Sequence, residues 1–87
     1  MIRRHIIFYG HVQGVGFRYY CVHKARQLGL TGWVENEFDG TVVMEIQGRE
    51  PMIHKLQEGL NRNSFIEIEW IDTENIPVEP ESCFYVR

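Results

Sequence analysis

Cysteine is scarce: Cys21 and Cys83 are the only two in 87 residues. Two cysteines in an intracellular chain are more often buried free thiols than a disulfide. Neither belongs to a CxxC pair, and His5, His11, His23 and His54 show no zinc-ligand spacing, so no metal site is expected. Long apolar runs are absent too. The longest near the N-terminus, Ile6-Ile7-Phe8-Tyr9, is far too short to cross a bilayer. No signal-length apolar core follows the Arg3-Arg4 pair, so a cytoplasmic protein without a membrane partner is expected. A basic excess is also missing. Lys and Arg total 9 against 12 Asp and Glu, a formal charge of −3, whereas nucleic-acid binders usually carry net positive charge. No repeat, linker or low-complexity segment interrupts the chain, and residues 1–87 read as one domain, complete in itself.

What is present suits a globular protein. Hydrophobic residues make up 44% and charged residues 24%, which excludes intrinsic disorder. Charge is uneven along the chain. Arg3, Arg4, His5, His11, Arg18, Lys24 and Arg26 fall in the first third, while Glu67, Glu69, Asp72, Glu74, Glu79 and Glu81 crowd the last. An anionic ligand near the N-terminal third is electrostatically reasonable.

Residues from about Ile2 to Gly10 are rich in Ile, Phe and Tyr and predict a strand. Three glycines between Gly10 and Gly16 predict a loop. Phe17, Cys21, Ala25 and Leu28 then fall on one helical stripe, and Gly29 supplies a stop. Leu30 to Asn36 reads as a second strand, Asp39-Gly40 as a hairpin turn, and Thr41 to Gln47 as a third strand with Val42, Met44 and Ile46 on one face. Pro51 suits the first turn of a second helix, whose apolar side is Met52, Ile53, Leu56 and Leu60. Phe65 to Ile71 alternates as a strand, with Ile66, Ile68 and Trp70 on one face. Pro77 and Pro80 mark a loop in which Glu79-Pro80-Glu81 reads as a solvated connection, and Phe84 to Arg87 adds a short closing strand. This order predicts an α+β, ferredoxin-like split βαβ sandwich, with two helices on one face of an antiparallel sheet. Such a fold alone does not determine function.

Chemistry concentrates in Gly10-His11-Val12-Gln13-Gly14-Val15-Gly16-Phe17-Arg18. Glycines between a strand and a helix let successive N–H groups converge, and such a concavity binds anions. The helix N-terminus adds unpaired N–H groups and a favourable dipole. Arg18 can reach back with a planar, permanently charged fork. No Gly-Lys occurs for a Walker A loop, and Tyr19 stands where a dinucleotide fingerprint needs glycine. Local physics leaves two readings open: a phosphate cradle, or a tight turn beside a solvated Arg18.

This loop resembles the signature loop of the acylphosphatase family. Gly32-Trp33-Val34-Glu35-Asn36, followed by Asp39-Gly40-Thr41-Val42, resembles that family's second signature, in the same order and spacing. The Phe84-Tyr85-Val86-Arg87 ending is similar to its closing strand, so the likeness spans nearly the whole chain. It implies hydrolysis of the carboxyl–phosphate bond of a small-molecule acyl phosphate, without metal or cofactor, by a monomer. By motif match Arg18 binds the phosphate, Asn36 orients the attacking water, and the backbone amides of Gln13, Gly14, Val15, Gly16 and Phe17 complete the cradle. His11 lies inside the cradle in this reading. Trp33 is expected to pack in the core or at an edge, and Tyr19 and Tyr20 to pack along the helix without a chemical role. Glu35 and Glu37 depart from the basic or neutral residues the family often has beside the asparagine. Strand alternation should turn Glu35 away from it, but not Glu37.

Two other readings share this strand–helix order. An RNA-recognition module would show exposed aromatics and bases on its central strands, and Thr41 to Gln47 offers neither. A non-catalytic phosphate-binding module, related to the N-terminal domain of carbamoyl-transfer proteins, would share the cradle but not the turnover.

Overall fold

The computed structural model describes residues 1–87. Its frame is β1 (Ile2–His11), α1 (Phe17–Gln27), β2 (Thr31–Asn36), β3 (Val42–Gly48), α2 (Glu50–Arg62), β4 (Glu67–Ile76) and β5 (Phe84–Val86). The strands form one sheet in the order β4-β1-β3-β2-β5, with both helices on one side. Strand alternation explains the layering. Ile6 and Phe8 of β1, Val42, Met44 and Ile46 of β3, and Val34 of β2 all point into the same core. Helical periodicity supplies the other half: Phe17, Cys21 and Ala25 from α1, and Ile53, Leu56 and Leu60 from α2. Phe8 and Phe17 meet edge to face at 4.9 Å, joining β1 to the first turn of α1. No helix is long and apolar enough to cross a membrane.

The expected sheet needs one correction. It is mixed, because β5 runs parallel to β2, with Gly32 paired to Phe84 and Val34 to Val86. The chain must pass from β4 at one edge to β5 at the other, and residues 77–83 carry it across the face that the helices leave open. Sequence strand order could not reveal the direction of a three-residue strand.

β4 also differs from expectation. It continues to Ile76 because residues up to there keep pairing with β1 as far as Arg3. A bulge falls at Glu69: Ile68 pairs with Gly10, but Trp70 pairs with Tyr9. The extra residue reverses the alternation. Ile66 and Ile68 therefore face the core, while Trp70 emerges on the open face, 64% exposed, its indole donating to Asp72 Oδ1 at 2.9 Å. Trp33 is buried, with the Arg87 guanidinium 4.3 Å above its ring. Iodide should accordingly quench the Trp70 fraction of the native fluorescence, and Trp70→Phe should leave an emission that iodide barely touches until the protein unfolds. Equal quenching of the native protein and the variant would contradict this placement.

The open face holds a cluster of charges. Arg3 is 2% exposed and its guanidinium meets Glu45 (3.0 Å), Glu81 (2.7 Å) and Glu79 (3.3 Å), while also donating to Gln47 Oε1 (3.2 Å). The Gln47 amide and the Glu79 backbone exchange hydrogen bonds of 2.7 and 2.9 Å. Residues 77–83 are therefore a strap buckled to the sheet. The Glu79-Pro80-Glu81 stretch, expected to be a solvated connection, instead supplies carboxylates to a buried arginine. Sequence separation hid this, since Arg3 and Glu81 lie 78 residues apart. Arg4 is likewise paired, to Glu50 at 2.6 Å. The cysteines are free, but only Cys21 is buried and Cys83 is exposed, which corrects the expectation that both are inside. Burial pushes the Cys21 thiol far up.

Candidate active site

The loop after β1 turns into α1 through two glycines in the left-handed region, Gly14 at φ 73° and Gly16 at φ 83°. A side chain at either position would be strained even though space is open around both. Gly16 is the N-cap of α1 and, lacking a side chain, cannot donate a capping oxygen to the first helical N–H groups. As a result the N–H groups of Gln13, Gly14, Val15, Gly16 and Phe17 donate to no backbone or side-chain acceptor of the protein. No acidic residue occupies the first turn of α1. Five consecutive free donors at a positive helix end invite an anion.

Arg18 stands in that first turn, exposed and without an ion pair. Of the basic residues in the first third, Arg3 and Arg4 are held in ion pairs elsewhere, and Arg18 is the one beside the loop. A cleft of about 350 Å³ opens between Gly14, Gly16, Phe17, Arg18, Tyr19, Asn36 and Val86. Asn36 reaches it from the end of β2 because it shares a strand face with buried Val34, next to the parallel β5. Its Oδ1 is buried and has no hydrogen-bond partner within the protein. A buried acceptor without a donor in the protein is rare, and this one is available to a donor from outside it.

One side chain couples the two walls. Gln13 Nε2 donates to Glu37 O at 2.8 Å and to Thr41 O at 2.9 Å, tying the loop to the β2–β3 turn that follows Asn36. That turn is closed by Asp39 Oδ1, which accepts from the Thr41 amide (3.0 Å) and hydroxyl (2.7 Å). The hydrogen bonds from the Thr41 hydroxyl and amide hold the Asp39 carboxyl below its usual range.

The structure thus brings Arg18, Asn36, Gly14, Gly16 and Phe17 onto one cleft. Val15 lines the neighbouring groove, and the Gln13 side chain turns to the hairpin, so these two belong to the loop without walling the cleft. His11, expected inside the cradle, is instead the last residue of β1, paired with Glu67 and exposed outside the cleft. Neither Glu35 nor Glu37 lines the cleft: Glu35 follows the alternation to the Trp33 side, and Glu37 contributes its backbone carbonyl to Gln13. Sequence reasoning missed three contributors. The Gln13 tether and the Val86 wall depend on contacts between distant segments. Tyr19, expected to pack along the helix, is 71% exposed on the cleft rim, and its place off the Phe17, Cys21, Ala25 stripe was the available signal.

Comparison with known proteins shows the family. A family model described as acylphosphatase matches residues 4–86. The chain belongs to the acylphosphatase family. It is 44% identical over 80 residues to an acylphosphatase of Clostridium perfringens, covering 91% of this chain and 90% of that one. A crystal structure of acylphosphatase from Bacillus subtilis superposes with a TM-score of 0.91 at 32% identity, covering 100% and 99% of the two chains. Full-length HypF, in a phosphate- and nucleotide-bound crystal structure, is similar over 99% of this chain but only 12% of its own, with 28% identity and a TM-score of 0.89. Relatives matched along nearly their whole length favour hydrolysis over the role of a binding module in a larger protein. The protein is a hydrolase acting on acyl phosphates.

Proposed function

We propose that this acylphosphatase-family member hydrolyses small acyl phosphates with Arg18 and the Gln13–Phe17 amides holding the phosphoryl group and Asn36 placing the water. The observation that carries this reading is that one cleft brings Arg18 and the unpartnered N–H groups of Gly14, Gly16 and Phe17 together with the unpartnered Asn36 Oδ1. Water attacks phosphorus and forms a new P–O bond, while the bond from phosphorus to the acyl oxygen breaks. The electron pair leaves with the carboxylate, a good leaving group that needs no strong general acid. Asparagine is no base at neutral pH, so the water's proton passes to a phosphate oxygen or to solvent. Asn36 Oδ1 accepts one hydrogen of that water and aligns its lone pair, the positioning half of the task. The loose transition state spreads charge over the equatorial oxygens, where fixed donors and the guanidinium fork stabilise it. All of this charge is met by groups of the protein, so no metal or cofactor is required.

The same reading makes residues 1–87 one functional unit, acting as a cytoplasmic monomer without nucleic-acid or membrane partners. RNA-recognition domains seat bases on the open sheet face. Here the acidic strap crosses that face, and Glu67, Glu69, Asp72 and Glu74 edge it. Benzoyl phosphate hydrolysis in the presence of EDTA tests the proposal. Turnover that persists in EDTA and is inhibited competitively by inorganic phosphate is expected. Folded protein without turnover would reduce the loop to an anion-binding site, and activity abolished by EDTA would overturn the metal-free mechanism.

A further inference from the structure

A second groove, of about 460 Å³, runs up α1 from the catalytic cleft. The two adjoin: Gly16 and Tyr19 border both. Beyond them the groove is walled by Tyr20, His23, Lys24 and Gln27. Tyr19 stands between the clefts with its ring 4.1 Å from that of His23, one helical turn on, so the passage has an aromatic side. Tyr20 supports the wall from below, its hydroxyl lodged against the Cα of Gly59 where α2 has no side chain.

Charge in this groove is one-sided. The chain carries 12 acidic residues, yet neither cleft has an Asp or Glu on its wall, whereas Arg18 and Lys24 line one each. Lys24 forms no ion pair, unlike Arg3, Arg4 and Arg62. Its Cα lies seven residues beyond Phe17, about 10 Å along the helix axis from the phosphate end. Helical side chains lean toward the N-terminus, so the Lys24 stem is directed back along the groove. A phosphoryl group held at Gly14–Arg18 therefore has, one short aliphatic chain away, an unneutralised ammonium reached past an aromatic wall.

We propose that the groove is the acyl subsite and that Lys24 selects acyl phosphates whose acyl chain ends in a second anionic group. This rests on the reading of the cleft as the phosphoryl site. The distal group is a carboxylate or a phosphate-like anion, and the ammonium, a compact point charge, accepts either.

The test compares kcat/KM for glutaryl phosphate, which ends in carboxylate, with that for valeryl phosphate, its neutral five-carbon match. A third substrate, 4-phosphonobutyryl phosphate, carries the other anion. The ratio of charged to neutral substrate cancels enzyme concentration and any effect on the shared phosphoryl site. A ratio of about five is expected for the native protein, the size of a solvent-exposed ion pair. Lys24→Met should bring the ratio to unity, Lys24→Arg should retain it, and Lys24→Glu should invert it. A preference for glutaryl phosphate alone, or for the phosphonate alone, supports the subsite and identifies the anion it takes. Native protein that hydrolyses all three substrates equally, or a preference that survives Lys24→Met, overturns the proposal. Folded native protein that hydrolyses none of the three would instead overturn the catalytic reading on which it rests.

Discussion

Replacing Arg18 by lysine will lower kcat/KM for benzoyl phosphate by about 10²–10³-fold, the loss commonly seen when one transition-state contact is removed. Charge is conserved in that variant, so the loss reports the geometry of the fork rather than its sign. A guanidinium presents donors in a plane that matches two phosphate oxygens together, and an ammonium does not. Stability should change by no more than about 0.5 kcal/mol, since Arg18 is exposed and pairs with nothing in the protein. Asn36→Ala should cost a similar factor in rate but with a telling difference in stability. Its Oδ1 is a buried acceptor without a donor, and such a group costs about 1–3 kcal/mol of desolvation. Removing it should leave the thermal midpoint unchanged or raise it. Lower activity together with equal or greater stability is the signature of a side chain kept for chemistry. A clear fall in the midpoint of Asn36→Ala would show that the residue is structural, and a folded Arg18→Lys variant with native turnover would remove Arg18 from the mechanism.

Arg3→Ala should destabilise the fold by about 3–5 kcal/mol, the range for breaking a buried ion pair from one side. An 87-residue domain has only about 4–13 kcal/mol in all. The variant leaves the Glu45 and Glu81 carboxylates, both largely buried, facing one another without their cation. Arg4 provides the contrast. Its single pair is with Glu50, whose side chain is 63% exposed, and Arg4→Ala should cost less than about 1 kcal/mol. Equal urea midpoints for the two variants would disprove the buckle. Its pH dependence has a definite sign. Burial acts to raise the Glu45 carboxyl, but hydrogen bonds from His5 and Arg3, and the charge of Arg3, outweigh it and hold the group below its usual range. A carboxyl depressed in the folded state contributes stability that is fully present above its unfolded value of about 4.3. That stability disappears as the pH falls through the folded value. Acid unfolding of the native protein should therefore show a limb below about pH 4 that Glu45→Gln flattens.

Most of the fold follows from local periodicity. Phe17, Cys21 and Ala25 mark the helix face, Val42, Met44 and Ile46 mark the strand face, and both patterns reach the same core. The glycine turn beside Arg18 was legible because glycine and arginine act through the backbone conformation and charge of one short stretch. The parts that stayed hidden share a dependence on distant pairing. Trp70 changes face because of a bulge that exists only against β1, and no rule of alternation within β4 can register an extra residue without its partner. Glu81 looks like a solvent residue until the sheet brings Arg3 beneath it. Gln13 reads as part of a loop, and its work of joining the cradle to the Asn36 hairpin depends on carbonyls 24 and 28 residues away. For the site itself, two short motifs placed Arg18 and Asn36 on one cleft, but Val86 entered only through the closing strand.

That closing strand sets the two chain ends apart in their distance from the site. Val86 forms part of the cleft wall, and the amide of Arg87 is bonded to Val34 O at 2.9 Å, so a peptide joined after Arg87 emerges at the mouth of the site. Met1 lies at the far end of β1, and a ten-residue strand places it about 30 Å from the cradle. An attachment at the amino end thus starts far from the entrance, whereas one at the carboxyl end starts beside it. The fold has one end remote from the door and one beside it.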